Sequence, residues 1–178
     1  MGGICLAGER LVLREFEPAD EEALHAIVSD PDVTAYTLWG PNERADTRAF
    51  LAAAVAQADT PEARVGYHLA AVDRDGDELV GSVTLDIDNA AHARGVVGFV
   101  FHPRCWGHGF ASEALGLMLD FGFGDLALHR IAAHCHPDHE PCARVLEKAG
   151  MALEGRMRDY KLVRGAWRDS LLYARVAT

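Results

Sequence analysis

The chain has 178 residues, 49% of them hydrophobic and 25% charged, with a formal net charge of −10. That length can bury a sizeable core and reads most simply as one domain over residues 1–178, while the acidic excess argues against broad binding to nucleic acid or anionic lipid. No apolar run approaches a membrane span, MGGICLAGER lacks the basic-then-apolar pattern of a secretion signal, and Cys5, Cys105, Cys135 and Cys142 form neither a CxxC pair nor a disulfide framework, so a cytoplasmic protein with free thiols is expected.

Residues Arg10 to Phe16 alternate as a first strand. Pro18 followed by Asp20, Glu21 and Glu22 gives a helix start with acids at its positive end, and Leu24, Ile27 and Val28 form its buried stripe. After Pro31 comes a short polar and aromatic segment. GPNERADTRAFLAAAVAQA then predicts a second helix with Asn42 as N-cap and Phe50, Leu51, Ala54, Val55 and Ala58 on one face. Gly66 to Val72 and Leu79 to Ile87 are strand patterns around DRDGDE, whose Asp-Gly content marks a hairpin turn. The acids of that turn lack the spacing and terminal Glu of a calcium loop. With Val96 to Phe101 these strands make an antiparallel meander.

The stretch VVGFVFHPRCWGHGFASEALGLMLDFGF, Val96 to Phe123, reads as strand, loop and helix. Gly107 and Gly109 can take conformations that turn successive amides inward just before a helix N-terminus. Together with Arg104 and Ser112 they make a nest for an anion, most naturally a phosphate. GHGFAS is not a dinucleotide fingerprint, because Ser112 stands where the third glycine belongs and His129 where an acidic ribose ligand is expected. No GxxxxGK[ST] loop is present. Arg130 to His136 is a strand that must run parallel to Val96–Phe101, since a helix intervenes. A helix over about Glu140 to Ala149 follows, ended by Gly150 as a left-handed cap, and two strand patterns, Met151 to Val163 and Trp167 to Val176, close the chain.

FVFHPRCWGHGFASEAL resembles the acyl-CoA-binding motif of the GCN5-related N-acetyltransferase (GNAT) superfamily, whose [QR]xxGx[GA] signature is met by Arg104, Gly107 and Gly109. A second block, LHRIAAHCHPDHEPCARVLEKAGMALEGRMRDY, is similar to the RimJ/RimL-type branch that acetylates ribosomal-protein N-termini, and with LVLREFEPADEEALHAI the likeness covers nearly the whole chain. The resemblance implies a mixed, mostly antiparallel α/β sheet of about seven strands flanked by helices, with two splayed parallel central strands. It implies acetyl-CoA as co-substrate and a primary amine, on a protein N-terminus or a small molecule, as acceptor. By the same likeness, the backbone of Phe99, Val100 and Phe101 would bind the pantetheine arm. The loop and first turn, Arg104, Trp106, Gly107, His108, Gly109, Phe110, Ala111 and Ser112, would hold the diphosphate. His139 and Cys142 would lie beside the arm, and Lys148, with Arg144, would meet the cofactor's phosphates. Helices near the N-terminus would wall the acceptor cleft, offering Tyr36, Trp39 and Phe50 to substrate, although packing into the core is the commoner fate of such residues.

Several positions depart from the family pattern. The customary Asn is His139, the Ser three residues on is Cys142, the tyrosine acid of many relatives is Leu146, and the acidic residue before the strand glycine is Val96. Acyl transfer from a thioester to an amine needs a neutral amine, a polarised carbonyl and a proton for the departing thiolate. Positioning the two substrates can supply much of the rate, so a strong base is not mandatory. Cys142 is a candidate proton donor to the thiolate, a candidate acyl-enzyme nucleophile, or an inert small residue. His136, Asp86 and Asp88 are candidate proton acceptors. His134, His136 and His139 could meet a zinc ion geometrically, but the same positions align with ordinary strand and loop residues of the resembled family, and the reading assigns no metal. A non-catalytic acyl-CoA sensor and an enzyme using an aminoacyl-tRNA donor are the alternatives, and a homodimer is a candidate assembly.

Overall fold

In the computed structural model, which describes residues 3–60 and 64–177, a single mixed sheet carries five helices on its two faces. The strands are β1 (Cys5–Ala7), β2 (Leu11–Glu15), β3 (Gly66–Asp73), β4 (Glu78–Asn89), β5 (Arg94–Phe101), β6 (Arg130–Cys135), β7 (Ala152–Val163) and β8 (Ala166–Val176), in the spatial order β1-β2-β3-β4-β5-β6-β8-β7. Seven of these correspond to the expected strands. The eighth, β1, is a three-residue edge strand paired with Val12–Arg14, too short to show an alternating pattern.

The helices are α1 (Glu21–Val28), α2 (Pro31–Thr34), α3 (Arg44–Ala58), α4 (Phe110–Gly124) and α5 (Glu140–Lys148). One corrects an expectation: the N-cap of α3 is Glu43 rather than Asn42. Glu43 and Asp46 cap each other reciprocally, side chain to backbone, while the Asn42 N–H bonds to the Val28 carbonyl at 3.0 Å. The segment after Pro31 contains the single turn α2, capped by the Asp30 carboxylate, which accepts from the Asp32 N–H.

Two cores sit on opposite faces. On one, α1 and α3 bury Leu24, Ile27, Val28, Leu51 and Ala54 against Ala70, Val72 and Leu79. On the other, α4 brings Ala114, Leu115, Met118 and Leu119, all fully buried, onto β2, β4 and β5, and α5 adds Leu146. Each such large side chain contributes about 1.5–3 kcal/mol on burial. Leu146 is a core residue with no exposure.

The functional geometry comes from the middle of the sheet. Because α4 intervenes, β5 and β6 run parallel, but they pair at only three positions, Arg94 with Arg130, Gly95 with Ile131 and Val96 with Ala132. Past Val96 the strands part: β5 continues to Phe101 against β4 alone, and β6 to Cys135 against β8 alone. The sheet is split at this point, and the split opens toward the start of α4.

Candidate active site

The loop after β5 begins with a 3₁₀ turn, Pro103–Cys105, followed by Gly107 at φ +78° and Gly109 at φ +87°. Its first amides are committed locally: Arg104 N–H to His102 Nδ1, Cys105 N–H to the His102 carbonyl, and Trp106 N–H to the Pro103 carbonyl. Those of Gly107, Gly109, Phe110, Ala111 and Ser112 have no acceptor among the described residues, and Gly109, the N-cap of α4, offers no capping side chain. A Cβ on Gly107 would meet nothing within 4 Å, so open space lies above these donors. Unpaired amides converging on a helix N-terminus form an anion site.

The loop is tied down from a distant part of the sequence. Arg10, the residue before β2, donates from its guanidinium to the His108 carbonyl, and its N–H donates to Glu113 Oε1 of α4 at 2.8 Å. A Cβ on Gly109 would come within 3.0 Å of Arg10 Nη1, so a cation lies directly beneath the nest. Arg104, read from the sequence as the nearby charge, instead pairs with Glu78 at 2.5 Å on the exterior and does not line the cavity. Arg10 carried no sequence signal, since its contact spans 103 residues.

A cavity of about 1390 Å³ runs from this loop through the gap between β5 and β6 to the far face of the sheet. Phe99, Val100, Phe101, Trp106, Gly107, Gly109, Ala111 and Ser112 line it on one side, and His136, His139, Cys142 and Lys148 on the other. The Trp106 indole N–H donates to the Phe101 carbonyl at 2.9 Å, fixing the end of β5 against the loop. Gly109, Ser112 and Lys148 also line an adjoining groove of about 550 Å³ that includes Arg10. His108, which is exposed, and Phe110, which packs against the core, line neither the cavity nor the groove. Asp86 is exposed on β4, where it bonds to His68 Nε2 at 2.8 Å, and it does not reach the cavity.

At the centre of the cavity, Cys142 sits against Cys135 of β6. The adjacent sulfur and burial raise the Cys142 pKa, so this thiol stays protonated at neutral pH. Tyr36 stacks on His139, with ring centroids 4.5 Å apart, and lies 5.0 Å from His136. Burial, and then the neighbouring His136, lower the His139 pKa, so that ring is neutral near pH 7. His136 Nδ1 accepts the Asp138 N–H at 3.2 Å, which leaves the neutral ring's proton on Nε2. Among the described residues no group of histidines, cysteines and carboxylates is placed to hold a metal ion.

The opposite wall departs from what the sequence suggests for its aromatics. Tyr36 and Trp39 remain 45% and 43% exposed at the cavity rather than entering the core. Phe50 is half-buried, edge-on to Phe16 and stacked on His68. The β7–β8 hairpin, absent from the sequence reading of the site, supplies Lys161, Arg164, Arg168, Asp169 and Ser170. Arg164 reaches across to donate to the carbonyls of Thr34 at 3.2 Å, Trp39 at 3.4 Å and Gly40 at 2.8 Å, closing the cavity over the loop after α2.

The split sheet thus joins an amide nest to a second open chamber, the arrangement that the resemblance to acyltransferases implies. The chain belongs to the acetyltransferase (GNAT) domain family, which matches residues 10–152. It is 33% identical over 166 residues, 93% of each chain, to the uncharacterized N-acetyltransferase YnaD of Bacillus subtilis. The crystal structure of a GNAT-family acetyltransferase from Bacillus anthracis superposes with a TM-score of 0.85 at 32% identity, covering 97% of this chain and 98% of that one. Mycobacterium smegmatis RimJ in complex with CoA-disulfide shares the fold, with a TM-score of 0.85 at 23% identity over 99% of this chain and 90% of that one.

Proposed function

We propose that the protein transfers an acetyl group from acetyl-CoA to a primary amine by direct attack of the amine on the thioester. The observation that carries this reading is the continuity of the unpaired amides at Gly107 and Gly109–Ser112 with the open gap between β5 and β6. A diphosphate seated on the amides, with Arg10 beneath and Lys148 beside it, would direct the pantetheine arm along Phe99–Phe101. The thioester would then lie between Cys142 and the aromatic wall of Tyr36 and Trp39.

In this arrangement the Cys142 thiol stays protonated, so it is no nucleophile, and its S–H is placed to hydrogen-bond to the sulfur of the departing thiolate. His139 opens the helix that carries Cys142, is neutral, and its ring has no hydrogen-bond partner among the described residues. It is the ring with a lone pair free for the amine's proton. His136, with its proton on Nε2, is placed as a donor. Asp86 has no part in the reaction, because it lies outside the cavity. Holding the two reactants together supplies the larger share of the rate. The sequence blocks around the loop and α5 support placing the chain with the RimJ/RimL-type branch.

The test is incubation with acetyl-CoA and a library of amines and peptides, followed by mass spectrometry of the products. A mass gain of one acetyl group on a primary amine is the expected result. Saturable acetyl-CoA binding with no acetylated product from any acceptor would replace the transferase with an acyl-CoA sensor.

A further inference from the structure

The chamber on the acceptor side carries an uncommon charge arrangement for a protein whose net charge is −10. Lys161 of β7 and Arg168 of β8 are direct cross-strand partners, so their side chains project from the same face of the hairpin. Both line the cavity, and neither has a carboxylate within ion-pair distance among the described residues. Arg164 adds a third positive charge a few residues away, its hydrogen bonds going to neutral carbonyls.

The carboxylates on the same cavity are committed elsewhere or face solvent. Asp169 is held by Arg156 at 2.7 Å and by the Asp159 N–H at 3.0 Å. Asp46 accepts the Glu43 N–H at the start of α3. Asp138 is 81% exposed beside His136. Between the cations and the β5–β6 gap lies His134, whose Nδ1 is buried without a partner. Like charges placed side by side on a hairpin are destabilising unless an anion joins them.

From this we infer that the acceptor is a small amine that also carries an anionic group, a carboxylate or a phosphate, which Lys161 and Arg168 hold while the amine faces the thioester. A polyamine is the wrong charge for this chamber. The inference rests on the acyl-transfer reading of the cavity and adds the chemistry of its second substrate.

The experiment is calorimetric titration of the CoA-saturated protein with paired probes that differ only in the anion: β-alanine against β-alaninamide, and O-phosphoethanolamine against ethanolamine, with spermidine as the polycation. At least one anionic probe should bind tenfold or more tightly than its neutral twin, and the better of the two identifies carboxylate or phosphate. In the Lys161→Met/Arg168→Met protein that ratio should fall toward one, and in Lys161→Arg/Arg168→Lys it should recover. Equal affinities within both pairs, no binding by any probe, or tighter binding of spermidine would overturn the inference. Acetylation of the same probes is followed separately. Charge-selective binding without product would leave the anion site standing and remove the transferase reading, whereas product formed without charge selectivity would do the reverse.

Discussion

Gly107 holds φ at +78° with open space where a side chain would stand, and that space is where the diphosphate is expected. Gly107→Ala costs roughly 1 kcal/mol for the left-handed backbone. It also sets a methyl group over the donors, so acetyl-CoA affinity should fall by about tenfold or more, the loss of one hydrogen bond to a charged group. Thermal shift with and without acetyl-CoA separates the two effects. A second residue acts on stability alone: Arg64, with a side chain only 4% exposed, forms a two-pronged pair with Glu15 at 2.7 and 3.0 Å and lies 4.5 Å over the Tyr67 ring. Arg64→Met strands the Glu15 carboxylate and should destabilise the fold by roughly 3 kcal/mol in urea denaturation.

Among the elements, the β7–β8 hairpin is docked on the loop after α2 by one side chain, Arg164. Arg164→Ala should loosen the acceptor chamber and raise the KM for the amine several-fold, while the acetyl-CoA affinity changes little. Steady-state kinetics with each substrate varied in turn makes that distinction. The strand, glycine loop and helix from Val96 to Phe123 were legible in the sequence because period, turn chemistry and helix start agree locally. The hairpin's place in the site was not, since β8 inserts between β6 and β7 and so brings Lys161 and Arg168 to a cavity made by distant residues. The same limit hid Arg10, and the cap of α3 was misplaced by one residue because Asn is the commoner N-cap while Glu43 and Asp46 act as a pair. For Tyr36 and Trp39, residue type suggested the core, and only the topology shows them exposed on the rim of a cleft.

For the whole molecule, His134 and His139 are held neutral, each chiefly by burial, with Lys161 and His136 respectively adding to the effect. Their pKa values in the folded protein lie below the ordinary 6.5, so the unfolded chain takes up protons first as the pH falls. Their contribution to stability is therefore complete above about pH 6.5 and is lost as the pH drops toward the lower folded values. The melting temperature should decline between pH 7 and pH 5, and less steeply in a His134→Gln/His139→Gln protein.

Acyl transfer in this protein requires the loop at Gly107–Ser112 to hold a diphosphate so that a thioester enters the divided sheet. The most direct measurement is a calorimetric comparison of CoA with pantetheine, which has the same thiol arm without the nucleotide and its phosphates. CoA should bind at one site per chain, and pantetheine at least a hundredfold more weakly. Equal affinity for the two, or no binding of CoA, would contradict the assignment.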